Sequence, residues 1–421
     1  MSARDIVITG LGVVSPIGIG ADAFWASLVS GRGGVRALTL FDPRGMPVTF
    51  GAEVQAFDPK EFVRPRKSLK VMSRDIQLGV SAADMACADA GIQPGAVDPD
   101  RFGVIYGADM ILCPLEDLEA SYRGCAVEGR FDHRRWGAEA MAQLYPLWML
   151  KYLPNMPACH IAIAQDARGP NNSLTTAEVS SLLAVAEAAR IIERGQADVM
   201  VVGGTSSRIH PTTFLRGCIG NISRRTDCPE AASRPFDAAR DGAVYGEGAT
   251  AIILESRAHA QGRGVRVRGR VLGYASAFEP RQNGAPPRGA AIRATIENSL
   301  RSAGLAADDV GHVNAHGLST VEEDRAEAQA IRQVLGDVPV TAPKSFFGNL
   351  GAGTGAVEMA VSILALEADC VPVTLNYEQP DPLCPVNVVH GAPLRGGKGI
   401  AVLLNQATTG QAAAVVIAAE E

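Results

Sequence analysis

The sequence predicts an α/β protein built from two similar halves, and three features predict this class. Segments typical of strands and helices alternate twice along the 421 residues. The segment DVMVVGG, residues 198–204, is a continuous apolar run typical of a strand buried on both faces of a sheet. Each half also contains one glycine-rich turn that opens a helix of small residues, at 169–180 and 345–356.

The elements of the first half are predicted from hydrophobic periodicity and from the residues that start and end helices. An apolar strand at 4–18 ends in a glycine-rich turn, and residues 110–168 carry only a weak pattern with short helical pieces. The other predicted elements are helices at 22–29, 66–92 and 178–194 and strands at 101–109 and 198–204. Gly91 and Gly195 are the expected ends of the second and third helices.

The second half repeats this alternation. The predicted strands lie at 268–277, 309–317, 398–406 and 412–420, and the predicted helices lie at 291–305, 320–336 and 348–368. A loop followed by a strand at 234–256 precedes them. The halves meet near residues 256–268, so we predict one domain at 1–256 and a second at 257–421.

Composition and charge exclude several classes of function. The chain has 39 Lys and Arg against 45 Asp and Glu, a net charge of −6, and no long basic stripe, which argues against nucleic acid binding. Residues 1–5 do not resemble a signal peptide, and no apolar run is long enough to cross a bilayer, so a cytoplasmic protein without membrane contact is expected.

The cysteines indicate a reduced chain without a metal site. They form no CxxC pair and no cluster with histidine at metal-ligand spacing. We therefore expect mostly structural thiols, no metal and no bound cofactor. The eight residues are Cys87, Cys113, Cys125, Cys159, Cys218, Cys228, Cys370 and Cys384.

The two glycine-rich turns are the candidate functional site. A helix start offers free N–H groups and the positive end of the helix dipole, which stabilise developing negative charge. Glu178 stands at the first turn, and His316, Lys344 and Asn349 stand near the second. Structural roles are the alternative: Glu178 as a first-turn acid, His316 as a core histidine and Asn349 as a turn former.

Taken together, the segments resemble β-ketoacyl-acyl-carrier-protein synthases, the condensing enzymes of fatty acid and polyketide synthesis. The similarity runs in order through almost the whole chain. The segments that carry it are VITGLGVVSPIG, LPNMPACHIAIA, GPNNSLTTA, RPFDAARDGAVYGEGA, VNAHGLST and APKSFFGNLGAGTGAVE.

The resemblance implies a thiolase-like fold, in which two similar halves form five layers, α-β-α-β-α. It also implies a dimer formed through a strand near DVMVVGG and a site at the pseudo-twofold axis between the halves. The expected partner is an acyl carrier protein, whose phosphopantetheine arm carries the substrate.

The sequence departs from this family at the decisive positions. The family's nucleophilic cysteine falls on Glu178, and one of its two histidines falls on Asn349, whereas His316 matches the other histidine. The family's lysine is kept as Lys344 and the following acid as Glu358. We therefore predict Glu178, His316, Asn349 and Lys344 as the catalytic set.

The expected substrate-binding residues are also altered. The two phenylalanines of the family's gating loop fall on Ala407 and Thr409, beside Gly410. Of two threonines that hold the phosphopantetheine arm, the first is Leu318 and the second is kept as Thr320. The gating cycle linked to acyl loading is expected to be relaxed.

Loss of the thiol makes standard condensation unexpected, because covalent catalysis depends on the thiolate. We expect a protein of fatty acid or polyketide biosynthesis that binds acyl or malonyl thioesters at a Glu-His-Asn site. One alternative is a non-catalytic partner subunit similar to a chain-length factor, in a heterodimer rather than a homodimer. The other is a malonyl-carrier decarboxylase or a thioester hydrolase, with Glu178 as a general base.

A basic segment is the candidate docking surface for the acidic carrier protein. It contains Arg64, Arg66, Lys67, Lys70 and Arg74. A solvated helix face is the structural alternative, because charge clusters on helices are common.

Overall fold

The computed structural model describes residues 5–281 and 285–420. Four of the five residues from which the absence of a signal peptide was predicted lie outside this range. Among the described residues, no helix combines the length and apolar character that a bilayer-spanning segment requires.

One large mixed sheet organises the described chain, and ten of its strands carry labels here. Two short strands, Gly18–Ile19 and Asn387–Val388, also belong to it. The labelled strands are β1 (Ile6–Ser15), β2 (Phe102–Ala108), β3 (Asn171–Leu174), β4 (Val199–Ser207), β5 (Glu247–Ser256), β6 (Gly269–Phe278), β7 (His312–Asn314), β8 (Pro339–Thr341), β9 (Ile400–Gln406) and β10 (Gln411–Ala418).

Helices cover and separate the strands. The α-helices are α1 (Ala21–Val29), α2 (Arg74–Asp89), α3 (Leu115–Gly124), α4 (Met156–Gln165), α5 (Ser180–Glu193), α6 (Pro211–Ile219), α7 (Arg257–Arg263), α8 (Ala290–Ala303), α9 (Val321–Leu335), α10 (Lys344–Phe347) and α11 (Thr354–Glu367). Among the shorter 3₁₀ turns, Arg66–Val71, Ala177–Val179 and Gly351–Gly353 matter for the site.

The two halves repeat the same sheet topology. Inward from β3 the first half has the order β3-β2-β4-β5-β1, and inward from β8, outside which Asn387–Val388 pairs, the second has β8-β7-β9-β10-β6. In each half the first two pairings along this order are parallel and the last two are antiparallel. The halves join where β1 pairs with β6, at Ile6–Val271. This repetition confirms the predicted similarity of the halves, and the boundary at 256/257 stays a prediction.

The packing gives five layers. Helices α2 and α4 cover the first half of the sheet, and α8 covers the second, with α9 packed against α8. Helices α5 and α11 each contact strands of both halves, so they form the central layer. Residues 354–365 of α11 are all buried, as expected for a helix enclosed on all sides.

Glycine allows the central helices to approach closely. A Cβ on Gly355 of α11 would lie 2.4 Å from Oδ1 of Asn405 and 2.8 Å from Cγ of Leu182. A Cβ on Gly204 of β4 would lie 2.4 Å from the carbonyl oxygen of Ala352. Larger residues at these two positions would push apart the two turns that form the candidate site.

Two predicted elements are corrected. The helix expected at 66–92 is a 3₁₀ turn, Arg66–Val71, followed by α2 from Arg74, because Met72 is extended and interrupts the helical path. The turn expected at the start of the 169–180 segment contains β3, which pairs in parallel with β2.

The expected dimer through a strand near DVMVVGG stays a prediction, and the sheet order limits which strand could form it. Strand β4, which contains the DVMVVGG segment, is internal, because β2 and β5 pair with its two edges. The outer strand of this half is β3, which has β2 on one side. A dimer formed by strand-edge pairing therefore cannot use β4.

Candidate functional site

The two glycine-rich turns face each other at the centre of the molecule. Glu178 lies in the 3₁₀ turn Ala177–Val179, directly before α5. Ala177 has φ of 53°, in the left-handed region that non-glycine residues seldom adopt. Asn349 lies in the turn that precedes α11, and its Nδ2 donates to Oε1 of Glu178 at 3.0 Å. The expected convergence of the two turns is therefore present.

Glu178 is a buried, ion-paired carboxylate. Glu178 is 4% exposed, and its Oε1 lies 2.8 Å from Nη2 of Arg208. Burial alone would raise the pKa of Glu178, but the Arg208 guanidinium and the Asn349 amide lower it below its ordinary value. Glu178 is therefore ionised at neutral pH and already neutralised by a fixed cation.

Arg208 connects this site to the end of β2. It follows β4 directly, and its Nε lies 3.9 Å from Oδ2 of Asp109, which follows β2. Its guanidinium carbon lies 5.2 Å from the ring centre of Tyr245, within range of a cation–π interaction. Despite burial, the charges of Glu178 and Asp109 raise the pKa of Arg208.

Asp109 is fixed to the second turn. Its Oδ2 accepts hydrogen bonds from Oγ of Ser206 at 2.8 Å and from the backbone N–H of Ala352 at 3.1 Å. Arg208 therefore lies between two carboxylates that come from different elements. We call Glu178, Arg208 and Asp109 the charge barrier.

The side-chain amide of Asn349 bonds both to its own turn and to Glu178, and one of its two N–H donors is used. While Nδ2 donates to Glu178, Oδ1 accepts from the N–H of Gly351 at 3.0 Å and from Oγ1 of Thr354 at 3.3 Å. In this arrangement Nδ2 points at a carboxylate. The second N–H of Nδ2 has no partner among the described residues, so it is the donor that a substrate carbonyl would use.

His316 is held as a neutral ring. Its Nδ1 lies 3.2 Å from Nζ of Lys344. An ammonium group can only donate, so Nδ1 accepts and Nε2 carries the proton. Burial and the positive charges of Lys344 and Arg208 lower the pKa of His316 well below its ordinary value. His316 is therefore available as a hydrogen-bond donor through Nε2, and not as a cation.

Lys344 is a buried structural cation as well as a neighbour of His316. Its Nζ donates at 2.5 Å both to Oε1 of Glu358 and to the backbone oxygen of His316. Oε2 of Glu358 accepts from Nδ2 of Asn405 at 2.6 Å. Burial raises the pKa of Glu358 to about 7, against the opposing charge of Lys344.

A further buried acid positions the His316 loop. Glu327 of α9 accepts from the backbone N–H of His316 at 2.6 Å and of Gly317 at 2.8 Å. Burial raises the pKa of Glu327 to about 8. The sequence analysis missed Glu327 because an acid inside a charged helix gives no signal of burial.

The predicted substrate-binding residues divide into two groups. Thr320 and Thr409 line a cavity of about 830 Å³ with Asp241, Gly242 and Thr408, and Oγ1 of Thr320 is buried without a hydrogen-bond partner among the described residues. Leu318 and Ala407 are buried instead. Gly410 has φ of 102° in the hairpin between β9 and β10, where a Cβ would lie 2.1 Å from the carbonyl oxygen of Glu279.

The predicted docking segment has an exposed part and an internal part. Arg66, Lys67 and Lys70 are exposed and make no side-chain hydrogen bond or ion pair within the described chain. Arg64 is exposed but donates to the backbone oxygens of residues 60, 61 and 63. Arg74 is bound through Nε and Nη2 to Glu247, at 2.7 and 2.6 Å, so its guanidinium is already paired.

Arg208 and Asp109 are two further site residues that sequence reasoning missed. Each follows a predicted strand whose parallel pairing, β2 with β4, brings the strand ends together. Polar residues at the carboxyl ends of neighbouring parallel strands are a known signal of a site. The sequence shows a polar residue after each of these strands, but it does not show that the two strands pair.

Comparisons with known proteins agree with the fold and the resemblance. The model of the β-ketoacyl synthase N-terminal domain matches residues 3–260, and that of the C-terminal domain matches residues 268–378. The chain is 33% identical over 395 residues to 3-oxoacyl-[acyl-carrier-protein] synthase 2 of Coxiella burnetii, covering 92% of each chain. It is 37% identical over 394 residues to putative polyketide β-ketoacyl synthase 1 of Streptomyces cyaneus, covering 92% of this chain and 91% of the relative.

Two solved structures extend this similarity over the whole chain. The ishigamide ketosynthase/chain length factor superposes with a TM-score of 0.87 at 27% identity, covering 100% of both chains. A type II polyketide synthase acyl-carrier protein in complex with its ketosynthase bound to the hexaketide gives a TM-score of 0.84 at 28% identity, again covering 100% of both chains. These likenesses confirm the thiolase-like α/β fold, and the chain belongs to the β-ketoacyl synthase family.

Proposed function

We propose that this β-ketoacyl synthase-like chain of fatty acid or polyketide biosynthesis binds acyl or malonyl thioesters on an acyl carrier protein without forming an acyl-enzyme. One observation carries the proposal: Glu178, at the position predicted for the nucleophile, is a buried carboxylate paired with Arg208 and Asn349. A carboxylate in such a pair is a poor nucleophile, and its attack on a thioester would give only an anhydride that water cleaves.

His316 and the Thr320 cavity support thioester binding. The neutral ring of His316 offers an Nε2–H donor of the kind that a thioester carbonyl accepts. The cavity of about 830 Å³ lined by Thr320 and Thr409 has room for a phosphopantetheine arm. The exposed cations Arg66, Lys67 and Lys70 offer an acidic carrier protein a complementary surface.

A binding experiment with a mass readout tests this proposal. Acetyl- and malonyl-carrier proteins are titrated onto the wild-type chain, and its intact mass is followed. We expect carrier binding without an acyl adduct, and we expect binding to weaken at least about tenfold in the variant R66E/K67E/K70E. The matched control is Arg168→Glu, an exposed arginine elsewhere on the surface. A stable acyl adduct on the wild type, or no carrier binding at all, overturns the proposal.

A non-catalytic partner subunit is the second candidate function, and the charge barrier favours it. A carboxylate that is held by an arginine and an amide is not a free nucleophile, which suits a non-catalytic subunit of a complex. Strand β3 offers the edge for dimerisation, since Asn171 and Asn172 are exposed there. Co-expression with a cysteine-containing synthase, followed by size exclusion, tests this role. A heterodimer with condensing activity supports it, and a chain that stays homomeric in the mixture argues against it.

The decarboxylase or hydrolase alternative needs His316 and Asn349 to donate to the same thioester carbonyl. One N–H of Asn349 Nδ2 is bound to Glu178, and its second N–H is the donor that this chemistry would use beside His316. The same mass experiment detects this chemistry as acetyl-carrier or free carrier formed from malonyl-carrier. Loss of that product in His316→Ala would establish the activity, whereas unchanged malonyl-carrier removes it.

A further inference from the structure

A second cavity lies beside the charge barrier. Its volume is about 450 Å³, within the range of roughly 300 to 1,000 Å³ typical of small-molecule sites. Much of its lining is apolar. Among the lining residues are Leu40, Phe41, Met72, Met110, Leu112 and Ile209.

The charge barrier separates this cavity from the Glu178 site. Ser207 and Ile209, the neighbours of Arg208 on both sides, line the cavity. Residues alternate between the two faces of an extended segment, and the side chain of Arg208 points instead to Glu178. Met110 lines the cavity in the same way, while Asp109 before it faces Arg208. The partition at this place is therefore one layer of side chains thick.

The partition is charged and firmly held. Arg208 contacts carboxylates at its two ends, and Asp109 is fixed by Ser206 and Ala352. A methylene chain passing this point would separate the ion pair without offering any replacement for its hydrogen bonds. Leaving a buried charge unpaired is strongly unfavourable, so the barrier stays closed to apolar groups.

We propose that Arg208, through the charge barrier, is the residue that closes the passage from the Glu178 site to the 450 Å³ cavity and restricts this chain to thioesters of short acyl groups. This inference rests on the proposed function, because it names the acyl class that the same site accepts. Malonyl and acetyl groups end before the barrier, whereas a medium-length chain meets it.

Two double variants isolate the effect of volume from that of charge. E178Q/R208A removes both charges of the pair and opens the passage. E178Q/R208M removes the same charges and fills the passage with an unbranched side chain of nearly the original length. The probes are the non-hydrolysable amide analogues of malonyl- and octanoyl-pantetheine, with affinity measured by calorimetry. Thermal unfolding of both variants confirms that they are folded.

We expect the opened variant to bind the octanoyl analogue at least about tenfold more tightly than the filled variant, because several methylenes become buried. Equal octanoyl affinity in the two variants overturns the inference. Octanoyl binding by the wild type as tight as that of the opened variant overturns it as well, and this measurement needs no folded variant. Malonyl binding by the wild type reports separately on the proposed function, so the two failures are distinguishable.

Discussion

Glu178 and Asn349 are 171 residues apart in the chain and are joined by a hydrogen bond of 3.0 Å between the two halves. Each lies in the turn that opens a central helix, one from each half. The bond places an anion at the starts of both helices, where the dipoles favour negative charge. The site thus links the two halves through the hydrogen bond between the Asn349 amide and the Glu178 carboxylate.

The first prediction concerns the cation of this link. Arg208→Met leaves Glu178 buried without its counter-charge, so the free energy of unfolding should fall by about 3–5 kcal/mol. Denaturant unfolding at pH 7 measures the change. E178Q/R208M should recover most of the loss, because it removes both charges. Equal destabilisation by the single and double variants would contradict the assigned ion pair.

The pH dependence of Glu178 gives an independent check on the same pair. The folded-state pKa of Glu178 is lowered from an ordinary value of 4.5, so its ionisation stabilises the fold above that pH. This contribution is lost as pH falls through the folded-state pKa. The stability difference between wild type and Glu178→Gln should therefore shrink on acidification from pH 7. A difference that is constant with pH argues against an ionised Glu178.

The second prediction concerns a thiol at residue 178. In Glu178→Cys the neighbouring Arg208 should lower the pKa of the new thiol and favour the thiolate. We expect iodoacetamide to modify Cys at 178 faster than the native cysteines, as measured by peptide mass mapping. Adding Arg208→Met to this variant should slow the reaction. Failure to label residue 178 under native conditions would show that reagents do not reach this turn.

Much of the fold was predictable because its signals are local. The helix that became α5 was recognisable from its apolar period and Gly195, and β4 from its continuous apolar run. Boundaries were less well predicted where local geometry decides them, as at Met72, whose extended backbone separates the turn at Arg66 from α2.

The candidate site was predictable only in part. Glu178, His316, Lys344 and Asn349 were found through motif resemblance. Arg208 was not, because a single arginine after a strand becomes meaningful only when the sheet order places it beside Asp109 and Glu178. The strand at the sheet edge was also not predictable, since strand order and not strand character decides which strand lies there.

The third prediction concerns Glu327, which holds the His316 loop. Burial raises its pKa to about 8, so the folded state keeps a proton that the unfolded chain has lost above about pH 4.5. Stability from this group is therefore present at low pH and is lost as pH rises through 8, by at most about 1.4 kcal/mol per pH unit. Glu327→Gln should unfold with a flatter dependence between pH 5 and pH 8.5. An unchanged slope would show that Glu327 does not titrate there.

The fourth prediction concerns Lys344 and Glu358. Lys344→Met removes the cation that bonds Glu358 and the His316 loop, and should lower the free energy of unfolding by about 3–5 kcal/mol. The double variant K344M/E358Q should cost less than the sum of the single variants, with a coupling of about 1–3 kcal/mol. Strict additivity would contradict a direct buried pair.

The same variant gives a readout that general destabilisation does not produce. The charge of Lys344 is one cause of the lowered pKa of His316, second to burial. Lys344→Met should therefore raise the pKa of His316, observable by NMR titration of the ring, while Glu358→Gln leaves the cation in place and should not raise it. Because Nδ1 of His316 then loses its donor, the ring is also free to change tautomer. A fall in the His316 pKa in Lys344→Met would reverse the assigned electrostatics.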